Sequence, residues 1–401
     1  MSDLPNGWVR KTLGQVATWG SGGTPQSGNP KYYGGEIPWA IIGDLTDGEV
    51  WSTEKTITDA GLANSSAKLV PEGAILIAMY GSIGKLGVAK VPMATNQAIA
   101  FAVPNPDLML DSYLFHFLLS QREIFLSKGK GATQQNISQT LLKSWEIPLP
   151  PIEEQKRIVE ALDAQLSRMD NSYIELEQSA AKLELLKEAH RHRIVSGHYS
   201  SEINEWSSTT LGKIAKWSSG GTPQSGNPAY YGGDIPWCVI GDLTEGDVVD
   251  TTKQITQAGL AASSAKIVEP GTVMLAMYGA SIGRTGLAAI PMATNQAIAC
   301  AAPTSQVNPR YLLLLLQSQK RMFVNSGKGG AQPNISQSII KDWAVSVPPI
   351  EEQNRLVTMS DNHQERMRLL EAQITEAQNL LTTLRRSMLN FAFTGQLTKE
   401  N

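Results

Sequence analysis

Two glycine-rich segments carry side chains suited to contact with a nucleic acid. They are GKGATQQNIS at 129–138 and GKGGAQPNIS at 327–336. Glycine lets the backbone approach a phosphate closely, lysine neutralises the phosphate charge, and a glutamine amide matches N6 and N7 of adenine. A flexible surface loop explains the composition equally well. We expect contacts to DNA from these residues: Lys128, Lys130, Thr133, Gln134, Gln135, Lys328 and Gln332.

A second pair of segments ends in a cation. MYGSIGK at 79–85 and MYGASIGR at 277–284 each follow an apolar run with a glycine-rich turn. The spacing is not that of the nucleotide-binding P-loop, G-x-x-x-x-G-K-[ST]. We expect Lys85 and Arg284 to contact phosphate.

A third pair, SGGTPQSGNP, precedes tyrosines at Tyr32 and Tyr230. The rings are candidates for DNA contact, although a turn pinned on a core is the favoured interpretation of such glycine, serine and proline density. The pairs Asn96-Gln97 and Asn295-Gln296 are likewise expected to satisfy buried backbone groups rather than read bases.

Catalytic alternatives find little support. The run Asn29 to Tyr32 faintly resembles the Asn-Pro-Pro-Tyr motif of amino-methyltransferases but lacks its second proline, and no glycine-rich cofactor loop follows a first strand. Asp44 and Asp242 have no Glu-x-Lys partner for a nuclease site and read as surface turns. Cys238, Cys300 and five scattered histidines do not complete a zinc site, so we expect neither a metal nor a cofactor.

The charge distribution is more informative than the net charge of -3. Residues 270–341 contain no Asp or Glu, and residues 73–106 and 124–145 are also free of acids while carrying lysines. The cations therefore concentrate in the same parts of the chain as the glycine-rich segments.

An internal duplication organises the 401 residues. SGGTPQSGNP recurs at an offset of 198, from 21–30 to 219–228, as does PPIEEQ, from 150–155 to 348–353. PMATNQAIA recurs at 199, because Ala280 is an extra residue. A period of this size indicates two similar domains, each with its own core.

The elements that must hold these segments follow from local pattern. IPWAIIGDL, AILIAMYG and QAIAFAV read as buried strands, and helices are predicted over 111–127 and 309–326. A long helix is predicted after each PPIEEQ, ending near Gly197 and Gly395 as left-handed caps. The fold class is therefore α+β, with two mixed α/β domains and two long helices.

Apolar residues in both long helices follow alternating steps of three and four, which is typical of coiled coils. The connections favour antiparallel packing and a pseudo-twofold relation between the repeats; ordinary packing within one core is the alternative. The predicted seam consists of Val159, Leu162, Leu166, Met169, Tyr173, Leu176, Ala180 and Leu183 in the first helix, and of Met367, Leu370, Ile374, Ala377, Leu381, Leu384, Met388 and Phe391 in the second.

Taken together, the repeated GGTPxSGNPxYYGGxIPW stretch, the segment ending in NIS, PPIEEQ and a helix closing near AFTGQL resemble the type I restriction-modification specificity subunits along nearly the whole chain. The resemblance implies a non-catalytic chain whose two target-recognition domains, 1–151 and 199–349, each read one half of a bipartite site in double-stranded DNA. The helices, 152–198 and 350–401, would act as spacers that carry two methylation subunits, with restriction subunits joining through the complex.

The two domains are more alike than is usual in that family, so we expect a near-palindromic, interrupted target. A self-contained DNA methyltransferase and a coiled-coil scaffold are the competing functions. No stretch approaches the ~20 apolar residues of a membrane span, and the first residues lack a signal-peptide pattern, so a cytoplasmic location without membrane contact is expected.

Overall fold

The computed structural model describes residues 4–128, 136–327 and 333–397. Their contacts divide the chain into unit 1, Met1–Leu176 with Glu376–Asn401, and unit 2, Glu177–Thr375. Each unit joins one set of short strands to the beginning of one long helix and the end of the other. The predicted domain boundaries at 151, 198 and 349 stay predictions.

Unit 1 contains eleven strands among its described residues, in three sheets. The strands are β1 Val9–Thr12, β2 Ala17–Ser21, β3 Tyr33–Ala40, β4 Gly48–Val50, β5 Thr56–Ile57, β6 Leu69–Val70, β7 Ile75–Ala78, β8 Leu86–Ala89, β9 Met93–Thr95, β10 Ile99–Pro104 and β11 Glu146–Leu149. The sheet orders are β2-β10-β7-β8-β4, β5-β3-β9-β6 and β1-β11. The three runs read as buried strands correspond to β3, β7 and β10.

The helices of unit 1 are α1 Leu13–Val16, α2 Asp59–Ala63, α3 Asp111–Ser120, α4 Arg122–Lys128, α5 Gln139–Ser144 and the first part of α6 Ile152–Val195. They pack against different sheets, α3 against β7, β8 and β10 and α2 against β3 and β5. The single helix predicted over 111–127 is wrong, because α3 ends at Ser120 and α4 begins at Arg122, with Gln121 between them. There the Gln121 side chain accepts a hydrogen bond from the Trp145 indole at 3.3 Å.

Unit 2 repeats this architecture among its own described residues. Its strands are β12 Ser207–Thr210, β13 Ala215–Ser219, β14 Tyr231–Cys238, β15 Asp247–Val248, β16 Gln254–Ile255, β17 Ile267–Val268, β18 Val273–Ala276, β19 Thr285–Ala288, β20 Met292–Thr294, β21 Ile298–Pro303 and β22 Ala344–Val347. Its helices are α7 Leu211–Ile214, α8 Gln257–Ala261, α9 Pro309–Ser318, α10 Lys320–Ser326, α11 Gln337–Lys341 and the first part of α12 Ile350–Ala392. The sheet orders match those of unit 1, and the predicted helix over 309–326 is again two helices, α9 and α10.

The glutamine that closes each PPIEEQ motif locks a long helix onto its unit. The buried Gln155 side chain accepts from the Leu110 N–H at 2.9 Å and donates to the carbonyls of Leu108 and Pro150. Gln353 makes the equivalent three bonds in unit 2. A buried amide needs all of these partners, which explains why the motif recurs intact.

The two long helices run antiparallel, as predicted. In unit 1, Leu162 and Leu166 near the beginning of α6 share a core with Leu389 and Ala392 at the end of α12. In unit 2, the rings of His190 and His363 stack at 3.7 Å between centroids. The predicted glycine caps are confirmed by φ of 77° at Gly197 and 72° at Gly395.

The strict heptad seam is wrong at several positions. Leu370 and Leu384 are each 43% exposed, and Tyr173 and Phe391 are exposed as well. In α12 the residue that follows each exposed seam residue is the less exposed of the two. These following residues are Glu371, Arg385 and Ala392. A straight helix has 3.6 residues per turn, so a strict seven-residue repeat drifts by about 20° per heptad. The other predicted seam residues are buried or half-buried: Val159, Leu162, Leu166, Met169, Leu176, Ala180, Leu183, Met367, Ile374, Ala377, Leu381 and Met388.

The stacked histidines of unit 2 predict a pH-dependent stability. Burial, the neighbouring ring and Arg193 lower the pKa of His190 to about 4, and burial and Arg366 lower the pKa of His363. The folded-state pKa values lie below the unfolded value of about 6.5. The contribution of His190 is therefore complete above about pH 6.5 and is lost as pH falls towards about 4, and His363 contributes in the same direction.

The internal repeat supplies the matched variant, because Met388 and Gln165 occupy the equivalent positions. We expect His190→Met with His363→Gln to reduce the loss of unfolding free energy between about pH 7 and about pH 5, measured by urea denaturation. The cations around the histidine pair are the same in the unchanged chain and in the double variant. They are Lys187, Arg191, Arg355 and Arg368. Exposed His192→Gln is the control, and an unchanged pH dependence in the double variant would contradict the prediction.

Candidate nucleic-acid interface

Three chain segments meet at one edge of the larger sheet in unit 1. The Gly22 N–H after β2 donates to the Ile99 carbonyl at 3.2 Å, and the Met79 N–H after β7 donates to the Ala98 carbonyl at 2.8 Å. The turns after β2 and β7 and the turn before β10 are thereby fixed side by side. Unit 2 forms the same edge, with Gly220 bonded to Ile298 and Met277 to Ala297.

The NIS segment joins this edge directly. Tyr80 forms an antiparallel bridge with Asn136, and the Ile137 N–H donates to the Met79 carbonyl at 3.1 Å. Ile137 is buried, and the Ser138 hydroxyl accepts from Leu141 N–H at the start of α5. Two sequence segments singled out separately, the glycine turn and NIS, are therefore neighbours.

The equivalent segment of unit 2 is held in the same way. Tyr278 forms a bridge with Asn334, and the Ile335 N–H donates to the Met277 carbonyl at 3.0 Å. The Gly279 N–H adds a bond to the Pro333 carbonyl at 2.8 Å. The two units therefore present the same backbone arrangement at this edge.

Exposed polar side chains gather where these segments meet. We call them the edge cluster: Thr24, Tyr80, Gln97 and Asn136 in unit 1, and Thr222, Tyr278, Gln296 and Asn334 in unit 2. The Thr24 hydroxyl contacts Oε1 of Gln97 within hydrogen-bond distance, and Thr222 does the same with Gln296. The tyrosine rings are 38% and 45% exposed.

The four residue types of the edge cluster are the same in both units, although the turn after Tyr278 contains the extra residue Ala280. Hydroxyls and amides of this kind donate to and accept from base edges and phosphates, and an exposed tyrosine adds a planar apolar face. The arrangement therefore suits contact with a nucleic acid on both units.

Comparison with known proteins assigns a family to this arrangement. The model of the type I restriction modification DNA specificity domain matches residues 5–186 and 203–379. The chain belongs to this specificity family. A type I restriction enzyme specificity subunit of Methanocaldococcus jannaschii, MjaIX, is 24% identical over 86% of this chain and 84% of its own length.

Two more similarities cover nearly the full length of the chain. The EcoKI specificity subunit of Escherichia coli strain K12 is 23% identical over 99% of this chain and 90% of its own length. A solved structure from work on complex assembly and conformational transition of the type I restriction-modification system has a TM-score of 0.78. It is 21% identical and covers 98% of this chain and 100% of its own, so it shows the specificity-subunit fold.

Several of the predicted contact residues lie outside the part of this specificity chain that the structure describes. They are Lys130, Thr133, Gln134, Gln135, Lys328 and Gln332. Lys128 is described, and its ammonium lies 5.0 Å from the centroid of the Trp145 ring. A cation over an indole face is stabilised there, so Lys128 has a role within unit 1.

The predicted cations after the glycine turn are close to the edge cluster along the chain. Lys85 and Arg284 follow Gly84 and Gly283, whose φ values of 77° and 82° require glycine. Both cations are half-buried, and the structure gives their side chains no ion pair with another described residue. They remain candidates for phosphate contact.

The tyrosines after SGGTPQSGNP divide into two kinds. The hydroxyl groups of Tyr33 and Tyr231 each donate a hydrogen bond to a proline carbonyl at 2.6 Å. These bonds hold the turn in place, in agreement with the structural interpretation favoured from the sequence. Tyr32 and Tyr230 are half-buried, and their backbone carbonyls accept from Thr58 and Thr256. The structure does not bring these two rings into the edge cluster.

The Asn-Gln pairs also divide. Asn96 and Asn295 accept from the backbone N–H groups of Ala98 and Ala297, at 3.1 and 3.2 Å, as expected for structural residues. Gln97 and Gln296 are exposed instead. The expectation that both members of each pair satisfy buried groups is therefore wrong for the glutamines.

The residues considered for catalysis hold local structure together. Asp44 accepts backbone N–H bonds from Ile41 and Glu54, and Asp242 accepts from Val239 and Thr252. Burial raises the pKa of the Cys238 thiol to about 12 and that of Cys300 to about 11, so these are not activated nucleophiles.

The described residues contain no group of three or more His, Cys, Asp or Glu side chains that could hold a metal ion. Within the same ranges, no helix is long and apolar enough to cross a membrane.

The sequence analysis singled out the segments that contain six of the eight edge-cluster residues without naming those residues, and it assigned the two glutamines to structure. All of them lie in stretches that are identical or nearly identical between the repeats, which was the available signal. Identity alone could not separate them from neighbours such as Gly22 and Asn96, because structural residues of the same turns also recur.

Proposed function

We propose that this chain directs a type I restriction-modification complex to a bipartite DNA site, with each unit reading one half through its edge cluster. The observation that carries the proposal is the recurrence of this exposed polar cluster in both units of a specificity-family chain. The chain itself contributes recognition and no catalysis. The methylation and restriction subunits supply the chemistry, in the cytoplasm.

The long helices support a second part of the proposal, the binding of two methylation subunits. Both helices carry exposed apolar side chains, and contiguous exposed apolar surface often marks a site where another protein binds. In unit 2, Leu186 is 56% exposed and is next to Lys187, which forms an ion pair with Glu371 of the other helix. The equivalent residue in unit 1 is Leu384, next to Arg385, which pairs with Asp170. The repeat therefore gives each unit an exposed leucine beside an ion pair between the helices, which supports one methylation subunit per unit.

We expect Leu186→Asp and Leu384→Asp to weaken methylation-subunit binding, because each places a charge in a docking surface that must lose water. The expected loss is at least about tenfold for each change, measured by calorimetric titration of the full chain with the methylation subunit. Each single variant should affect one of two binding events. Exposed Asn171→Asp is a control. If both leucine variants bound the methylation subunit as tightly as the unchanged chain does, the assignment would be contradicted.

The experiment that tests the function compares the chain alone with the chain plus methylation subunits. A mobility-shift titration on a randomised DNA pool measures sequence-dependent binding, and transfer of labelled methyl groups measures chemistry. We expect methyl transfer only from the assembled complex. Methyl transfer by the isolated chain would favour the self-contained methyltransferase, and a complex that binds every sequence equally would favour the scaffold.

A further inference from the structure

We infer that Gln97 and Gln296 each read one base for their unit, and that the base is an adenine read at its major-groove edge. The inference rests on the proposed function, because it names residues that would perform the DNA reading. It adds one residue in each unit to the glutamines expected from the sequence to pair with adenine, which are Gln134, Gln135 and Gln332.

The backbone on either side of Gln97 is fixed from both directions. The Asn96 N–H donates to the Ala40 carbonyl at 3.0 Å, and the Asn96 side chain accepts from Ala98 N–H at 3.1 Å. The turn then enters β10 through the buried Ile99. The repeat holds Gln296 identically, through Asn295 and the Cys238 carbonyl at 3.0 Å. These hydrogen bonds fix the backbone position from which each exposed glutamine side chain extends.

The threonine partner is equally constrained. Gly22 and Gly23 bring the chain close to the end of β9 and to the segment before β6. A Cβ on Gly22 would lie 1.9 Å from the Thr95 carbonyl oxygen. A Cβ on Gly23 would lie 2.2 Å from Oγ of Ser66. Only glycine permits this approach, which carries Thr24 to Gln97. The glycines of SGGTPQSGNP therefore place a hydroxyl beside the amide in both units.

The contact with threonine fixes the amide before DNA arrives. The Thr24 hydroxyl donates to Oε1 of Gln97, and Oε1 keeps a second lone pair while Nε2 keeps both protons for a ligand. A free glutamine side chain loses about 1.5 to 2 kcal/mol of rotamer entropy when it is ordered. Ordering by threonine removes part of that cost from binding, which is preorganisation.

The chemistry that remains on the amide selects the base. One acceptor and one donor in a plane match the N6–H donor and N7 acceptor of adenine in the major groove. Guanine offers two acceptors at the same places and cytosine offers a donor, so neither makes both bonds. Because Thr24-Gln97 and Thr222-Gln296 are the same pair, each half-site should contain an adenine at the equivalent position.

The test uses site selection from a randomised DNA pool by the full chain assembled with its methylation subunits. Gln97→Ala should reduce the preference for adenine at one position of one half-site by about 5- to 150-fold. Gln296→Ala should do the same at the matching position of the other half-site. Gln97→Glu should shift the preference at that position towards cytosine, because a carboxylate accepts from N4.

Two further variants separate base reading from other effects. Thr24→Val should relax the same position by a smaller factor, because the amide is present but no longer fixed. Lys130→Ala, expected to remove a phosphate contact, should lower the slope of log K against log salt by about 1 and leave the base preferences unchanged. Gln97→Ala should leave that slope unchanged.

The outcomes distinguish this inference from the function on which it rests. If the wild-type complex selects a site and Gln97→Ala and Gln97→Glu select the same site with the same preferences, the inference fails while the function stands. If the wild-type complex selects no sequence, both fail. Relaxation at every position of a half-site would assign Gln97 to general positioning and would also overturn the inference.

Discussion

An interrupted inverted repeat is the expected result when this chain, assembled with its methylation subunits, selects binding sites from randomised DNA. The two half-sites should share most of their bases, because the edge cluster contains the same four residue types in both units. The selected sequence should bind at least about 10³-fold more tightly than random DNA at physiological salt.

The inverted orientation follows from the way each unit is built. Each unit packs the beginning of one long helix against the end of the other. The pseudo-twofold relation predicted from the sequence would present two similar units to the local twofold symmetry of the DNA backbone in opposite directions. A directly repeated site, or two unrelated half-sites, would contradict this prediction.

Differences between the half-sites should map to differences between the repeats. In the glycine-rich segments, Thr133 and Gln135 are replaced by Ala331 and Pro333 at the equivalent positions. We expect the double change Thr133→Ala with Gln135→Pro to make the selected site more symmetric. The control is Ser138→Thr, which keeps the hydroxyl that caps α5. A site of unchanged asymmetry would show that other residues distinguish the halves.

The duplication, the fold class and the antiparallel helices could be predicted from the sequence because each depends on a repeated or periodic pattern. Identical motifs at one offset require similar domains, and glycines after periodic helices mark their ends, as the left-handed Gly197 and Gly395 show. These features involve residues that are close in sequence or related by one constant offset. Little three-dimensional information is needed to recognise them.

The candidate interface could be predicted only in part, because it is assembled from segments far apart in the chain. The hydrogen bond between Thr24 and Gln97 joins residues separated by 73 positions, and no local pattern indicates it. The sequence also gave no reason to separate Asn96 from Gln97, since both amides stand in the same repeated turn. Only the hydrogen bonds of the folded edge show that one is structural and the other exposed.

The phase of the helix seam failed for a different reason. The apolar residues at Leu370 and Leu384 do follow a heptad, but the helices pack with the ordinary period, so these side chains are on the exposed side. Exposed leucines at such positions are consistent with a surface that another subunit covers. Apolar positions in a helix sequence include those that contact the partner helix and those that contact another subunit. The sequence pattern alone does not distinguish the two.

The largest loss of stability is expected from Leu162→Asp. Leu162 is fully buried in the unit 1 core, together with Leu166, Leu389 and Phe393. The change removes apolar contacts and places a carboxylate among apolar side chains with no cation in the core cluster to pair with it. The free energy of unfolding of unit 1 should fall by about 3 to 5 kcal/mol.

Leu370→Asp is the matched comparison, because it puts the same charge at a predicted seam position that the structure leaves 43% exposed. We expect it to change the unfolding free energy of the isolated chain by less than about 0.5 kcal/mol. Urea denaturation of the full chain, followed by its tryptophan fluorescence, measures the unfolding free energy of both variants. Equal losses of unfolding free energy from the two variants would support the predicted heptad seam. If Leu162→Asp caused no loss, α6 would not pack against the unit 1 core.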